Sequence, residues 1–303
     1  MNEPCGILIV NKPCGITSHD VVGRVRRLFG TRRVGHTGTL DPLASGVLVV
    51  LIGRAAKAAE YLVCDEKSYR ATMRLGLTSD TEDITGTLVP QGVPLPSCEQ
   101  VFDVARRFVG EIEQVPPMYS ALKVDGQKLY DLARRGITVE RRARPITVHA
   151  LTVTPTDVPS DYLLDITCSA GTYIRTLCAD IGAALGCGAV MATLDRTAAG
   201  GFSREESHTL EALEAMNADE RTACLLPTES LFTTLPAASL PAFYERLFRS
   251  GCEIYQKKIG THFELGTRVR VCTANGKFFA LGEVREYEDG TAIKSLKLFD
   301  LES

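Results

Sequence analysis

The chain has 303 residues, of which 45% are hydrophobic and 23% charged, and its formal net charge is −3. This balance is ordinary for a globular protein and excludes a disordered chain. The apolar run at residues 47–52 is far shorter than the ~20 residues that a membrane helix needs. Residues 1–5 show no basic region leading into an apolar core, so we expect a cytoplasmic protein without a secretory signal.

The length predicts one large domain followed by a small one. Strands are predicted from apolar runs and from alternation at residues 6–10, 47–52, 69–77 and 164–170. Helices are predicted from apolar stripes and capping residues after Thr17 or Ser18, after Ser97, and over residues 127–135 and 174–185. Because strands and helices interleave without regular βαβ spacing, we predict an α+β fold with a mixed or antiparallel sheet.

The composition changes after Leu226, where Pro, Ser and Thr become frequent as far as Pro241. This stretch is typical of a linker. Short strand-like runs at residues 269–272 and 278–284 follow it, among many glycines. The C-terminal part is therefore predicted to be a small β-rich module.

Ten cysteines and five histidines could indicate a disulfide framework or a metal site. In a cytoplasmic protein with a core of this size, thiols are expected to stay reduced. No Cys-x-x-Cys pair occurs, and the histidines are far apart in the sequence. We therefore predict no metal site and interpret the cysteines as small apolar core residues.

Positive charge is concentrated in two segments of this mildly acidic chain. Residues 1–57 hold eight Lys and Arg against three Asp and Glu, and residues 123–149 hold seven against three. Residues 204–221 are acidic instead. The two basic segments are consistent with a face that binds a polyanion, and equally with solvated helix surfaces.

The glycine-rich loop at residues 35–46 is the first candidate for chemistry. Asp41 precedes Pro42, which disfavours helical backbone at Asp41 and keeps it extended. A carboxylate held in this way can be a nucleophile, a general base or a metal ligand. The structural alternative is an aspartate that caps a turn, which is common for this residue type. The loop does not end in Gly-Lys-Ser/Thr, so a P-loop is excluded.

Two further polar stretches contain candidate functional residues. Residues 79–86 are rich in acids, but their spacing does not fit an EF-hand, and a polar turn is the better interpretation. Tyr173 and Arg175 lie at a predicted strand-to-helix junction, where a helix start can orient an anion. An aromatic packing residue and a surface arginine are an equally good explanation of that pair.

The segment Gly-His-Thr-Gly-Thr-Leu-Asp-Pro-Leu-Ala-Ser-Gly-Val-Leu at residues 35–48 closely resembles the signature of the TruB family of tRNA pseudouridine synthases. Further motifs occur in the same order as in that family, so the resemblance covers roughly residues 5–200: Asn11-Lys12-Pro13 with Gly15; Lys67-Ser68-Tyr69; Asp80-Thr81-Glu82-Asp83 with Gly86; Pro117 to Lys123; Gly126, Tyr130, Ala133-Arg134 and Gly136; Gly171 to Arg175; Gly186 to Ala189; and Leu194 to Thr197.

The resemblance implies a role for seven residues. Asp41 matches the family's aspartate nucleophile, Arg175 the arginine that pairs with it, and Tyr69 the tyrosine that packs on the target base and is a candidate for removing the C5 proton. Four more residues match substrate-binding or supporting positions: Tyr173 and Leu194 in the uracil pocket, His36 near the flipped nucleotides, and Lys12 in a motif that supports the catalytic loop.

The resemblance also implies the fold and the reaction. The expected fold is a mixed, mainly antiparallel central sheet flanked by helices at residues 1–230, with an RNA-clamping insertion at about 118–148. A small β-rich PUA-like RNA-binding module is expected at residues 231–303. The expected reaction is isomerisation of uridine to pseudouridine at position 55, in the TΨC arm of tRNA. No cofactor and no metal are expected, tRNA is the expected partner, and the protein is expected to be a monomer that does not bind membranes.

One residue departs from the family pattern, and two other functions compete with this one. Asp195 stands where the family usually has Arg, which places an acid beside Leu194 and could weaken a phosphate or structural contact. A noncatalytic RNA-binding protein would keep the basic segments but has no need of Asp41 and Tyr69. A glycoside hydrolase normally needs two carboxylates beside the bond, and the sequence places no second one.

Overall fold

The computed structural model of the chain describes residues 3–62, 66–120, 122–124 and 126–299. Ala121 and Asp125, which belong to the predicted insertion, lie outside the described residues. Within these ranges the helices are Ser18–Phe29 (α1), Cys98–Arg106 (α2), Leu129–Arg134 (α3), Ile174–Ala184 (α4), Leu210–Ala215 (α5), Ala218–Ala223 (α6), Ala242–Arg249 (α7) and Gln256–Ile259 (α8). Short 3₁₀ helices occupy Gly53–Tyr61, Arg204–Glu206 and Thr228–Phe232.

The strands of the first 209 residues are Gly6–Lys12 (β1), Val34–His36 (β2), Ser45–Ile52 (β3), Glu66–Leu75 (β4), Leu77–Ser79 (β5), Leu88–Pro90 (β6), Gly110–Gln114 (β7), Lys123–Val124 (β8), Gln127–Lys128 (β9), Arg144–Pro155 (β10), Asp161–Ser169 (β11), Ala189–Ala199 (β12), Phe202–Ser203 (β13) and His208–Thr209 (β14). The remaining strands are Ala237–Leu240 (β15), Ile254–Tyr255 (β16), Arg268–Thr273 (β17), Phe278–Tyr287 (β18) and Gly290–Leu298 (β19).

A ten-stranded sheet forms the centre of the larger part, in the order β14-β1-β3-β12-β4-β11-β10-β7, with β2 beside β3 and β13 beside β12. The pairs β3–β12 and β1–β14 are parallel. The other pairs in this sheet are antiparallel. The predicted α+β fold with a mixed, mainly antiparallel sheet is confirmed.

The first helix begins at one of the two predicted capping positions, Thr17. The Thr17 hydroxyl accepts from the backbone of Asp20, and the Asp20 carboxylate accepts from the backbone of Thr17, which makes a capping box. Gly30 ends α1 in the left-handed region, with φ 62°. The valine stripe of α1 packs against alternate residues of β1 and β3, so the start of the helix lies beside the end of β1.

A close approach between β3 and β12 brings the glycine-rich loop to the middle of the sheet. A β-carbon at Gly46 would lie 2.2 Å from the Arg196 carbonyl oxygen. Gly46 also has φ 103°, which favours glycine. Since β3 pairs with β12 at Ser45 and Gly46, the preceding loop ends next to β12, whose other neighbour is β4.

Some element bounds differ from those predicted. The helix predicted at residues 127–135 begins at Leu129, because Gln127–Lys128 pairs with Lys123–Val124 as a short hairpin. Helix α2 has the predicted capping box of Ser97 and Gln100 but ends at Arg106. The strand predicted at residues 69–77 ends at Leu75, since Gly76 has φ 85° and a new strand begins at Leu77.

The C-terminal part is β-rich, as predicted, and consists of a five-stranded sheet in the order β15-β17-β18-β19-β16. The stretch predicted as a linker is structured: it contains a 3₁₀ helix at Thr228–Phe232 and β15, which pairs in parallel with β17. Phe232, Leu281 and Phe299 share one apolar cluster with Ile7 and other residues of the central sheet. The C-terminal sheet is therefore packed against the larger part of the molecule. Among the helices of the described ranges, none is long and apolar enough to cross a membrane.

Candidate active site

Asp41 lies in the loop between β2 and β3, and the loop is fastened on both sides. The Ser18 hydroxyl donates to the Leu40 carbonyl oxygen (3.0 Å) and accepts from the Leu40 amide (2.8 Å). The Gly15 amide donates to the Pro42 carbonyl oxygen at 2.8 Å. The start of α1 and the turn after β1 therefore hold the residues on either side of Asp41.

Arg175, in the first turn of α4, forms an ion pair with Asp41. Its Nε lies 3.0 Å from Asp41 Oδ2, and the arginine side chain is 5% exposed against 39% for the aspartate. The two remaining nitrogens donate to main-chain carbonyls, Nη1 to Thr81 (3.0 Å) and Nη2 to Tyr119 (2.9 Å). All three guanidinium nitrogens of Arg175 have a partner, so the guanidinium is held in one orientation. The side of the Asp41 carboxylate that faces away from Arg175 is open.

The polar stretch at residues 79–86 contributes a buried acid, Asp83, that lies near the Arg175 guanidinium. Asp83 is 5% exposed, and its Oδ2 lies 3.9 Å from Arg175 Nη1. Its Oδ1 accepts from the Thr81 hydroxyl (2.7 Å) and from the amide and hydroxyl of Thr85 (2.9 and 2.6 Å). The turn predicted from sequence is present, but its contact with Arg175 was not foreseen, because hydrogen bonds within a turn give no signal about a partner 92 positions away.

A cavity of about 400 Å³ opens next to the ion pair. It brings together five of the seven residues singled out from sequence: Asp41, Tyr69, Tyr173, Arg175 and Leu194. The other lining residues are Thr39, Leu40, Lys67, Tyr119, Ser120, Tyr130, Gly171, Thr172 and Ile174. Aromatic and aliphatic walls beside one carboxylate suit a flat, uncharged ring that is held against a nucleophile.

Tyr69 and Tyr173 are fixed in different ways. Tyr69 is 8% exposed, and burial raises the pKa of its phenol. Tyr173 is the N-cap of α4 and is held by Gln114, whose side-chain amide bonds both its backbone groups. The Arg144 guanidinium lies 5.1 Å from the centre of the Tyr173 ring and donates to the Gly171 carbonyl oxygen.

His36 and Lys12 do not line the cavity. His36 ends β2, and its Nδ1 accepts from the Gly38 amide at 3.3 Å; burial, and then the charge of Arg196, lower its pKa. Lys12 is fully buried, and its Nζ donates to the carbonyl oxygens of Pro13 (2.9 Å) and Ile16 (2.7 Å). Burial lowers the pKa of this lysine. Lys12 therefore bonds the turn whose Gly15 amide holds Pro42.

Asp195, which departs from the family pattern, is well paired. Its Oδ1 accepts from the Ser45 hydroxyl (2.7 Å) and its Oδ2 from Arg204 (2.5 Å). Ser45 is the first residue of β3, directly after the loop that carries Asp41. The acid is therefore a structural partner of that loop and of a nearby arginine, not a charge left without compensation.

Several arginines of the two basic segments form bonds with other residues of the protein. Arg24 lies 3.6 Å from Glu214, and Arg26 donates to the Val34 carbonyl oxygen at 3.2 Å. In the second segment Arg141 donates to the Pro116 carbonyl oxygen at 2.9 Å, whereas Arg142 is exposed. Within the described residues, no group of three or more His, Cys, Asp or Glu could hold a metal ion.

Comparisons with known proteins give consistent results. A family model described as the N-terminal domain of TruB family pseudouridylate synthases matches residues 26–174, and one described as the tRNA pseudouridylate synthase B C-terminal domain matches residues 175–233. A protein of Burkholderia mallei named tRNA pseudouridine synthase B is 43% identical, with 93% of each chain covered. A protein of the same name from Syntrophotalea carbinolica is 48% identical over 78% of this chain and 77% of its own.

Two solved structures share the fold. One is from a Cbf5-Nop10-Gar1 complex, with 28% identity and a TM-score of 0.75, covering 97% of this chain and 85% of that one. The other is from an H/ACA RNP bound to a substrate RNA containing 2′-deoxyuridine, with 25% identity and a TM-score of 0.74, covering 98% of this chain and 85% of that one.

Proposed function

The chain belongs to the TruB family of pseudouridine synthases, which are isomerases, and on that premise we propose that it converts uridine to pseudouridine at position 55, in the TΨC arm of tRNA. The observation that carries the proposal is the Arg175–Asp41 ion pair at the edge of a cavity with tyrosine and leucine walls. We place the uracil ring between Tyr69 and Leu194, which line the same cavity as that carboxylate.

Asp41 is the proposed nucleophile. The reaction breaks the bond between ribose C1′ and uracil N1, turns the uracil over, and joins C1′ to C5. Attack by a carboxylate oxygen, on C1′ or on uracil C6, makes a covalent adduct that divides this change into easier steps. After the new bond forms, C5 loses its proton to a base and N1 gains one. Reactant and product contain the same atoms, so the reaction consumes no co-substrate and has no net redox change, and the proposed mechanism uses no cofactor.

Tyr69 is the proposed acceptor of the C5 proton, and Arg175 holds the nucleophile. Tyr173 and Leu194 are proposed to contact the uracil, and His36 the neighbouring nucleotides. Burial lowers the pKa of His36 and so favours its neutral form, which suits a hydrogen bond better than a phosphate contact. Lys12 is proposed to support the Asp41 loop through its hydrogen bond to the Ile16 carbonyl oxygen.

The target base must leave its stack before it can enter the cavity, at a cost of a few kcal/mol. Cations that bind the backbone phosphates compensate for this cost. Arg142, in the insertion at about 118–148, is exposed and is a proposed phosphate contact. The proposal assigns residues 1–230 to catalysis and residues 231–303 to a PUA-like RNA-binding module. We further propose that the protein is a monomer and that it is cytoplasmic, because its proposed tRNA substrate is processed in that compartment.

The competing functions fit the cavity less well. A glycoside hydrolase needs a second carboxylate beside the scissile bond. Among the described residues that line the cavity, Asp41 is the sole carboxylate, and Asp83 lies behind Arg175 with three hydrogen bonds to one of its oxygens. A purely RNA-binding protein would have no use for a buried arginine that aims a carboxylate into a cavity.

The proposal is tested with a tRNA transcript carrying tritium at uridine C5. We expect the wild-type protein to release tritium without added metal or nucleotide. Asp41→Asn is expected to release none while still binding the tRNA in a filter assay. Asp157→Asn, in an exposed loop, is the matched control and should behave as the wild type. Tight binding without release by the wild type would favour the RNA-binding function.

A second variant separates the stages of the reaction. Tyr69→Phe keeps the ring that packs on the base but lacks the hydroxyl. In a single-turnover experiment it is expected to form the covalent adduct and to release tritium more slowly than the wild type. A normal rate of release would remove Tyr69 from the proton-transfer step.

A further inference from the structure

Arg196 is buried at the point where the catalytic loop meets the sheet, and it has no part in the mechanism proposed above. Its side chain is 2% exposed. Nε donates to the Val47 carbonyl oxygen (2.7 Å) and Nη2 to the Gly38 carbonyl oxygen (3.0 Å). Gly38 lies in the Asp41 loop and Val47 in β3, so one guanidinium joins the loop to the strand that follows it.

Arg196 is also the cross-strand neighbour of Tyr69. The two residues are directly opposite each other in the β12–β4 pair, and side chains at opposite positions lie on the same face of a sheet. Both side chains are buried, Tyr69 at 8% and Arg196 at 2% exposed, and the positive charge of Arg196 acts to lower the pKa of the Tyr69 phenol. A guanidinium has donors but no acceptor, so a hydrogen bond between these two side chains runs from Arg196 to the Tyr69 oxygen.

We propose that Arg196 is a positioning residue for the proton-transfer step: it holds the Tyr69 oxygen by donation, leaves the other side of that oxygen directed at the cavity, and fastens the Gly38 end of the Asp41 loop to the same support. This inference rests on the proposed function of Tyr69. It assigns to one buried side chain the relative placement of the proton acceptor and the nucleophile, which come from different segments of the chain.

The charges around Tyr69 agree with this placement. Burial raises the pKa of Tyr69, and the charge of Arg196 is the largest influence in the opposite direction. From the other elements, Cys168 of β11 and Asp41 of the loop face the phenol and act to raise its pKa. Cys168 is itself a neutral thiol at pH 7, since burial raises its pKa to about 11. Lys67 and Arg175 line the same cavity.

The direct test measures the ionisation of Tyr69 in the free enzyme, without substrate. The protein is labelled with ¹³Cζ-tyrosine, and the Tyr69 resonance is assigned from Tyr69→Phe. In Arg196→Gln the pKa of Tyr69 is expected to rise by about one unit or more, whereas Arg196→Lys, which keeps the charge, should shift it less. The matched control is Arg70→Gln, which removes an exposed arginine next to Tyr69 in β4 that pairs with Asp165 at 2.8 Å. The same Tyr69 titration in Arg196→Gln as in the wild type would overturn the proposal.

The second test is a double-mutant cycle on single-turnover tritium release. Arg196→Gln is expected to slow release strongly in the wild type and little in the Tyr69→Phe background, because its effect passes through the hydroxyl. Equal slowing in both backgrounds would mean that Arg196 supports only the fold, and would contradict the proposal. If Arg196→Gln does not fold, Arg196→Lys carries the double-mutant cycle, since it lacks the planar fork that reaches Gly38 and Val47 together.

The two proposals can fail separately. A wild-type protein that releases no tritium contradicts the proposed function, whatever Tyr69 does. If the wild-type protein releases tritium but the pKa of Tyr69 is the same with and without Arg196, only this inference is contradicted.

Discussion

Gln114 and Tyr173, 59 positions apart, are joined by two hydrogen bonds in opposite directions. The Tyr173 amide donates to Gln114 Oε1 (2.8 Å), and Gln114 Nε2 donates to the Tyr173 carbonyl oxygen (3.1 Å). Gln114 is fully buried at the end of β7. The pair fixes the residue that caps α4, and Arg175, two positions later, is thereby aimed at Asp41.

Gln114→Glu tests this relationship. A carboxylate can accept from the Tyr173 amide but cannot donate to its carbonyl oxygen, and a charge would be buried without a partner. We expect the free energy of unfolding to fall by about 3 kcal/mol at pH 7 and turnover to fall about 100-fold through misplacement of Tyr173 and Arg175. Urea denaturation and single-turnover tritium release measure the two effects.

Gln100→Glu is the matched control for Gln114→Glu, because either side chain completes the capping box at the start of α2. It should leave both stability and turnover near wild-type values. A Gln114→Glu protein with normal turnover would mean that α4 is positioned by its packing alone.

Arg142→Gln tests whether the insertion holds phosphates. Removing one cation that binds a phosphate should lower the slope of log K against log salt by about one, so the variant is expected to bind tRNA with a shallower salt dependence. Arg106→Gln removes an arginine that pairs with Asp103 inside α2 and should leave the slope unchanged. An unaltered slope in Arg142→Gln would show that this arginine is only solvated.

Asp195→Arg restores the residue that the family usually has, yet we expect it to destabilise this protein. It removes the partner of Ser45 and Arg204 and adds a cation beside Arg204 and Arg70, the latter directly opposite in β4. The expected loss is about 1 kcal/mol of unfolding free energy, because the pair is partly exposed. The double variant with Arg204→Asp should recover part of it. A more stable single variant would contradict the structural role of Asp195.

Asp180→Asn tests whether the charged form of the Asp180 carboxyl destabilises the folded protein. Burial, and then the charge of Glu82, raise the pKa of Asp180 to about 6. A folded-state pKa above the ordinary 3.8 means that the folded state binds more protons between these values. The free energy of unfolding therefore falls as pH rises through that window and stays lower above it.

At pH 8 we expect Asp180→Asn to be about 1 kcal/mol more stable than the wild type, a figure reduced for the partial exposure of the site. Below pH 3.8 the difference should become small, because the wild-type carboxyl is then protonated in both the folded and the unfolded state. Urea denaturation at both pH values measures this, with Asp157→Asn as the exposed control. A gain of equal size at both pH values would assign the effect to packing and not to ionisation.

The sequence by itself determined the local structure and the identity of the principal side chains. The capping box at Ser97 and an N-cap at Thr17 or Ser18 were predicted because each depends on residues a few positions apart. The α+β fold was predicted from periodicity and from the resemblance together. Asp41 and Arg175 were candidates from their local sequence, and the resemblance added Tyr69 and the roles of all three, before any distance between them was known.

Only the tertiary structure decided how those side chains are supported. Gln114 meets Tyr173, Asp195 meets Ser45, and Arg196 meets Gly38 across 59, 150 and 158 positions. The contacts of Asp195 and Arg196 depend on the register of β12 against β3 and β4 and on the close approach at Gly46, and that of Gln114 depends on the pairing of β7 with β10. A shift of one residue in a strand would turn each of these side chains to the other face. Local sequence signals do not encode that register, and the packing of the whole sheet sets it.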